Sequence, residues 1–253
     1  MATTWGDILK EIQATKGPDG VIDFDGVRRK YLKRLTDYTG RSTIVYATAG
    51  FNLRQGVSSA DVSITLDPDI EAFMEVVHGL PQDIPIDLML HSPGGSAEAA
   101  EAIVSYLRGR FPGLRVIVPV AAMSAATMIA MASDEIVMAS HSQLGPIDPQ
   151  LILQTPEGPR SSPAEAILRQ FEDAKADLRD HPEHTAAWLP ILRSYAPALL
   201  KQCESHIALA KTMVTDWLAK YMFKDSEDPR AQAERVADYL SDWEQFKSHS
   251  RRV

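Results

Sequence analysis

Two short segments carry residues whose types and spacing suit acyl chemistry: His91-Ser92-Pro93-Gly94-Gly95-Ser96 and Ala122-Met123-Ser124-Ala125-Ala126-Thr127. Paired glycines let a backbone turn sharply and leave amide N–H groups uncovered by any Cβ. Where a helix begins, such amides face whatever lies above its first turn, which is how an oxyanion is held. Gly94 and Gly95 are therefore candidate oxyanion-hole residues. In the second segment Ser124 is the candidate nucleophile, and the small side chains of Ala125 and Ala126 permit a carbonyl to approach its hydroxyl. The Ala125 amide is placed to complete the hole. Taken singly, Ser124 also fits a helix N-cap and Gly94-Gly95 a tight turn, so it is the two segments together that carry the chemical reading.

The elements that must position these segments alternate in type. Residues 42–48 (STIVYAT) and 61–66 (DVSITL) read as strands. Asp67-Pro68 supplies an N-cap and a first-turn proline for a helix whose apolar face is Ile70, Phe73, Met74 and Val77. A strand over 86–90, a helix over 97–108, a strand over 115–120, a helix over 124–132 and a strand over 135–139 follow. Strand and helix in strict alternation predict an α/β fold with a parallel sheet and crossover helices. Both chemical segments fall where a strand hands over to a helix, the end at which open α/β sheets place their sites.

Before this core, residues 1–40 read as a helical segment, with Val27, Tyr31, Leu32 and Leu35 at helical spacing and Gly40 as its stop. After it, strand signals disappear from Ser162 onward and apolar residues recur at helical spacing, with Pro182, Pro190, Pro197 and Pro229 as breaks between helices. The expected organisation is a helical segment over 1–40, an α/β core with the site over 41–160, and a helical layer over 161–253 packed on the same domain.

The run from Ile86 to Gln150 resembles the serine dehydrogenase proteinase family of the Clp-protease/crotonase superfamily, relatives of the signal peptide peptidases. The stretches that carry the resemblance are HSPGGSAEAAEAI, VPVAAMSAATMIAMASDEIVM and SQLGPIDPQ, and a looser likeness extends to FKSHSRRV. It implies a Clp-protease/crotonase-like ββα spiral with a helical C-terminal layer, usually a homo-oligomer, and peptide-bond hydrolysis through an acyl-enzyme on Ser124. Despite the family's name, no Gly-x-Gly-x-x-Gly loop opens a helix here, so nicotinamide chemistry is not expected.

A serine hydroxyl needs a group to take its proton. Clp-type relatives use a histidine and an aspartate, and signal peptide peptidases use a lysine. Where a Clp-type relative carries its histidine, this chain has LGPIDPQ, with Asp148 lying 24 residues after Ser124. His249 falls roughly where such a relative carries its aspartate and resembles a histidine motif of the family. The resemblance thus implies a swapped arrangement, with His249 as general base and Asp148 orienting it. Lys175, at a spacing seen in some signal peptide peptidases, competes for the role, as do His206 and Lys211. Relatives continue past the histidine motif with further structure, whereas this sequence stops at Val253.

Composition bounds what else the chain can do. A formal net charge of -8 argues against a general affinity for nucleic acid, despite a basic stretch at Arg28, Arg29, Lys30, Lys33, Arg34 and Arg41 that reads as solvated or oligomer-facing surface. The single cysteine, Cys203, cannot form an internal disulfide and fits a reducing, cytoplasmic setting. His181 with His184, and Cys203 with His206, lack the further ligands of a structural zinc site, so no metal or cofactor is expected. Residues 1–12 lack the apolar core of a secretory signal. Residues 116–133 carry no charge and imitate a membrane span, but Pro119 interrupts them and they read as buried core. The expected substrate is a peptide or unfolded segment. Two alternatives remain: a catalytically inactive scaffold that binds a protein partner, and an acyl-coenzyme A enzyme of the crotonase type, whose paired-amide hole needs no serine.

Overall fold

In the computed structural model, residues 4–48, 62–155 and 158–246 are described. The chain opens with helices α1 (Trp5–Ala14) and α2 (Phe24–Thr39), and Gly40 ends α2 in the left-handed conformation that the sequence predicts for it. Strand β1 (Ser42–Ala47) enters the sheet, followed by helix α3 (Leu66–Val77) and strand β2 (Ile86–His91). Helix α4 (Ala97–Arg110), strands β3 (Leu114–Val118) and β4 (Ala121–Ala122), and helix α5 (Ala125–Met131) come next. Strands β5 (Glu135–Met138) and β6 (Gln143–Leu144) complete the core.

The main sheet is parallel throughout, in the order β1-β2-β3-β5, and β4 pairs with β6 in a second small parallel sheet. This is the α/β architecture with a parallel sheet that the alternation of strand and helix predicts. Parallel strands are covered on both faces, which is why β2 reads Ile-Asp-Leu-Met-Leu with Ile86, Leu88 and Leu90 fully buried. Phe73 and Val77 from α3 and Ile103, Val104 and Leu107 from α4 fill the same core. Every residue of α5 is buried, and Met128 and Met131 pack against Val214 and Leu218 of helix α8 (Leu199–Lys220) and Ala233 and Ala237 of helix α9 (Pro229–Ser241). That burial explains the membrane-like composition of 116–133. Among the described residues no helix is long and apolar enough to cross a membrane.

Several local expectations are corrected. The strand expected over 61–66 shrinks to a single bridge, Ile64 to Gly95, because the chain turns into α3 immediately afterwards. Helix α3 starts two residues earlier than Asp67-Pro68 suggests: Thr65 is the N-cap, and its N–H donates to the Asp69 carboxylate at 2.6 Å. Pro68 is tolerated there because the first four N–H groups of a helix have no intrahelical acceptor. Met74 is half exposed, so the apolar face of α3 is narrower than expected. Pro190 lies inside helix α7 (Thr185–Leu192) and does not end it. The hairpin β7 (Gln150–Thr155) and β8 (Gly158–Pro163), antiparallel, has no counterpart in the sequence reading. Helix α6 (Ala164–Asp180) and a short helix α10 (Trp243–Phe246) complete the helical layer.

The basic stretch also divides. Arg28, Lys30 and Lys33 pair with Asp25, Glu11 and Asp37 at the surface. Arg41 instead turns inward to Asp87, whose carboxylate is fully buried in the sheet. Asp87 accepts from Arg41 Nε at 2.6 Å and from Arg115 at 3.0 and 2.7 Å. The hydrogen bond to Asp87 raises the pKa of Arg115 further above its ordinary value.

Candidate functional site

Ser124 stands between β4 and α5 with φ 51° and ψ −121°, a backbone conformation rare for a residue with a Cβ. The strain is held by its neighbours: Met123 N–H donates to Ser92 O at 3.0 Å, Ala126 N–H to Met123 O at 2.9 Å, and Met128 N–H to Ser124 O at 3.1 Å. Ser124 occupies the N-cap position, yet its side chain makes no capping hydrogen bond. Among the described residues the hydroxyl has no hydrogen-bond partner at all, and the side chain is partly exposed between buried neighbours.

The diglycine corner lies directly against this elbow. A Cβ added at Gly94, which has φ 95°, would sit 2.7 Å from Ser124 Cβ and 2.9 Å from Ala125 N. Gly94 is thus required both by its dihedral and by the space. Gly95 is pressed against Ile64: its added Cβ would fall 2.9 Å from Ile64 C, and nearer still to Ile64 N and O. The bridge is made by Ile64 N–H donating to Gly94 O at 2.8 Å and Ser96 N–H donating to Ile64 O at 3.0 Å. In this pairing the Gly95 amide points away from Ile64.

The three candidate amides differ in their engagement. Gly94 N–H donates to Ser92 Oγ at 3.1 Å, a local i to i+2 turn in which Ser92 is fully buried. Gly95 N–H and Ala125 N–H have no acceptor among the described residues. The open pair is therefore Gly95 and Ala125, and Gly94 supplies space. Sequence reasoning missed Ser92; its signal was a serine two residues before the first glycine.

The LGPIDPQ segment is tied to the same elbow. A Cβ at Gly145 would meet Met123 Sδ at 2.9 Å, and Gly145 N–H donates to Ala122 O at 3.1 Å. Thr127, buried in α5, bridges the two: its Oγ donates towards Ala122 O at 2.8 Å and lies 3.1 Å from both Gly145 N and Gly145 O. Asp148 follows three residues later, half-buried, with Gln150 Nε2 donating to its Oδ2 at 3.1 Å.

The other base candidates are dispersed. His249 lies outside the described residues. Lys175 is on the exposed side of α6, paired with Glu172 at 2.7 Å. Lys211 pairs with Asp238. His206 is exposed on α8 and lies near Glu98 in the first turn of α4. The Glu98 carboxyl is held below its ordinary range, chiefly by the Ser96 hydroxyl at 2.7 Å, then by its own backbone N–H, with a smaller contribution from His206. Among the described residues, none of these groups reaches the Ser124 hydroxyl.

Residues 62–187 match the family described as the ClpP-like SDH-type serine proteinases. Through that region the chain belongs to this family. The matched span takes in Ile64, the diglycine corner, the Ser124 elbow and Asp148. Two uncharacterized proteins of Methanocaldococcus jannaschii are similar, one 40% identical over 117 residues and the other 39% over 109. The matches cover 46% and 43% of this chain but only 38% and 36% of those relatives, so the ClpP-like chain spans well under half their length. Among solved structures, a membrane-bound stomatin-specific protease is similar in two forms. A serine-to-alanine mutant gives TM-score 0.33 at 23% identity, covering 43% of this chain and 54% of the other. A lysine-to-alanine mutant with a substrate peptide gives 0.32 at 23%, covering 51% and 53%. At those scores the superposition transfers no residue's role.

Proposed function

We propose that the chain carries the catalytic core of a serine peptidase that cleaves extended or unfolded peptides through an acyl-enzyme on Ser124. The observation that carries this reading is the contact between the two bends: Ser124, at φ 51°, has its Cβ 2.7 Å from where a Cβ on Gly94 would stand. A strained serine with an unbonded hydroxyl, beside two amides without acceptors, is the arrangement that acyl transfer needs.

In this mechanism Ser124 Oγ attacks the scissile carbonyl carbon and its proton passes to His249, which Asp148 orients. The carbonyl oxygen, now anionic, receives hydrogen bonds from Gly95 N–H and Ala125 N–H. The C–N bond breaks as the base returns the proton to the leaving amine. Water then repeats the sequence on the acyl-enzyme and frees Ser124. Lys175 is disfavoured as base because it stands exposed on α6 and pairs with Glu172 rather than with Ser124. A crotonase-type reaction gives no reason for a strained hydroxyl at this position. The division into a helical segment over 1–40, a site-bearing core over 41–160 and a packed helical layer over 161–253, the homo-oligomeric state and a cytoplasmic setting belong to the same proposal.

Labelling with a fluorophosphonate, read by intact mass and peptide mapping, tests the reading. One adduct is expected, on Ser124, absent in Ser124→Ala and slowed at least about 100-fold in His249→Ala. A folded protein that takes no label would reduce the chain to a scaffold.

A further inference from the structure

Where α6 ends and α7 begins, three side chains with metal-binding donors meet. His181 closes α6, and Glu183 and His184 follow within one short 3₁₀ turn, Pro182–His184. One donor atom from each of His181, Glu183 and His184 lies within 4.8 Å of the other two. The imidazole rings of His181 and His184 stack with centroids 5.0 Å apart, and His181 Nδ1 is 3.5 Å from Glu183 Oε1. Each side chain is about half exposed or more, so an ion reaches them from solvent.

A second feature is independent of that proximity. His184 Nδ1 lies 3.0 Å from Oδ2 of Asp177, in the last turn of α6, and the same Asp177 oxygen accepts from Trp188 Nε1 at 2.7 Å. With Nδ1 engaged by the Asp177 carboxylate, Nε2 is the ring nitrogen of His184 left to meet an ion. A carboxylate behind the far nitrogen of an imidazole is the support that metal-binding histidines characteristically have, because it fixes both tautomer and ring orientation.

The geometry points to a surface site for a divalent transition metal of the zinc class, with His181, Glu183 and His184 as ligands and Asp177 as the supporting carboxylate. Two imidazoles and one carboxylate suit zinc, whereas calcium and magnesium call for oxygen ligands. Zinc–ligand bonds of about 2.0–2.1 Å in a tetrahedron bring donors to about 3.3 Å, so side-chain rotations alone close the cluster, and a fourth position stays open to water. Sequence reasoning had the two histidines but not the carboxylates, which lie at spacings that only the turn between the helices brings together. Bound metal would pin the end of α6 to the start of α7, a corner chemically separate from the Ser124 elbow.

The test is isothermal titration of the metal-free full chain with zinc, with the fluorescence of Trp188 as a second readout through its bond to Asp177. Saturable one-to-one binding at micromolar zinc is expected. The double variant His181→Gln/His184→Gln should abolish it, and Glu183→Gln should weaken it at least about tenfold. Asp177→Asn should weaken it about 10- to 100-fold. Ser124→Ala should bind as the parent does. All four positions of the site are exposed or half-exposed, and unchanged melting of each variant separates loss of ligand from loss of fold. No saturable binding by the parent chain, or equal affinity in the double histidine variant, overturns the assignment.

Discussion

Strand β2 joins two sites that treat buried polar groups in opposite ways. Near its start, Asp87 is a fully buried charge with every approach answered by Arg41 and Arg115. Just past its end, the Gly94–Gly95 corner and the Ser124 elbow leave two amides and a hydroxyl with no acceptor or donor among the described residues. The first end spends its polar groups on holding β1, β2 and β3 together. The second end forgoes those bonds, and in the proposed mechanism the oxyanion takes them up. The buried ion pairs and the proposed reactive elbow thus lie at opposite ends of one strand.

The sharpest way to break this division is at the crowded end. Gly94→Ala forces a Cβ against main-chain atoms that cannot move without dismantling the elbow. Its Ser124 labelling rate should fall at least about 100-fold, the scale of losing an oxyanion donor. Retained labelling would show that the two bends are not held as tightly as their contact implies. At the charged end, Asp87→Ala leaves two guanidinium groups facing each other, and urea unfolding should register a loss of about 3–5 kcal/mol. Labelling of the folded fraction should stay within about twofold of the parent, as for independent sites.

Ser92 sharpens the comparison because it belongs to both kinds of end. Its buried hydroxyl satisfies Gly94 N–H and so turns the next amide, that of Gly95, outward. Ser92→Ala should cost about 1–3 kcal/mol for the orphaned amide, together with a labelling rate lower by about tenfold. Stability lost with labelling intact would confine the hydroxyl to folding. The smallest effect is expected at Lys175→Gln, which removes an exposed ion pair: less than about 1 kcal/mol by urea unfolding, and an unchanged labelling rate. A collapse of labelling there would move the base to Lys175.

Much of the fold was legible because period and burial agree. The buried strands β2 and β3 and the helices α4 and α5 announce themselves by apolar runs and by small residues at close contacts. The hairpin was not, since β8 reads Gly-Pro-Arg-Ser-Ser-Pro and takes its strand form from pairing with β7 rather than from its own residues. Arg41 was misplaced for a related reason: its partner lies 46 residues away, and no local pattern distinguishes an inward arginine from a surface one. At the site, Ser124 and the glycines could be picked out by their position at strand-to-helix handovers. Which amides stay open could not, because that depends on a hydrogen bond from Gly94 back to Ser92. The proton acceptor was beyond local reading too, since its candidates sit on distant helices or outside the described residues.

The left-handed backbone of Ser124 has a consequence for how such a protein adapts to heat. Holding that residue at φ 51° costs on the order of 1–3 kcal/mol. Glycine would relax the dihedral and delete the hydroxyl in the same step. Under the proposed mechanism, selection for thermal endurance and selection for turnover pull this single codon in opposite directions, and a hardier descendant that kept its serine would have to find its extra stability elsewhere in the chain.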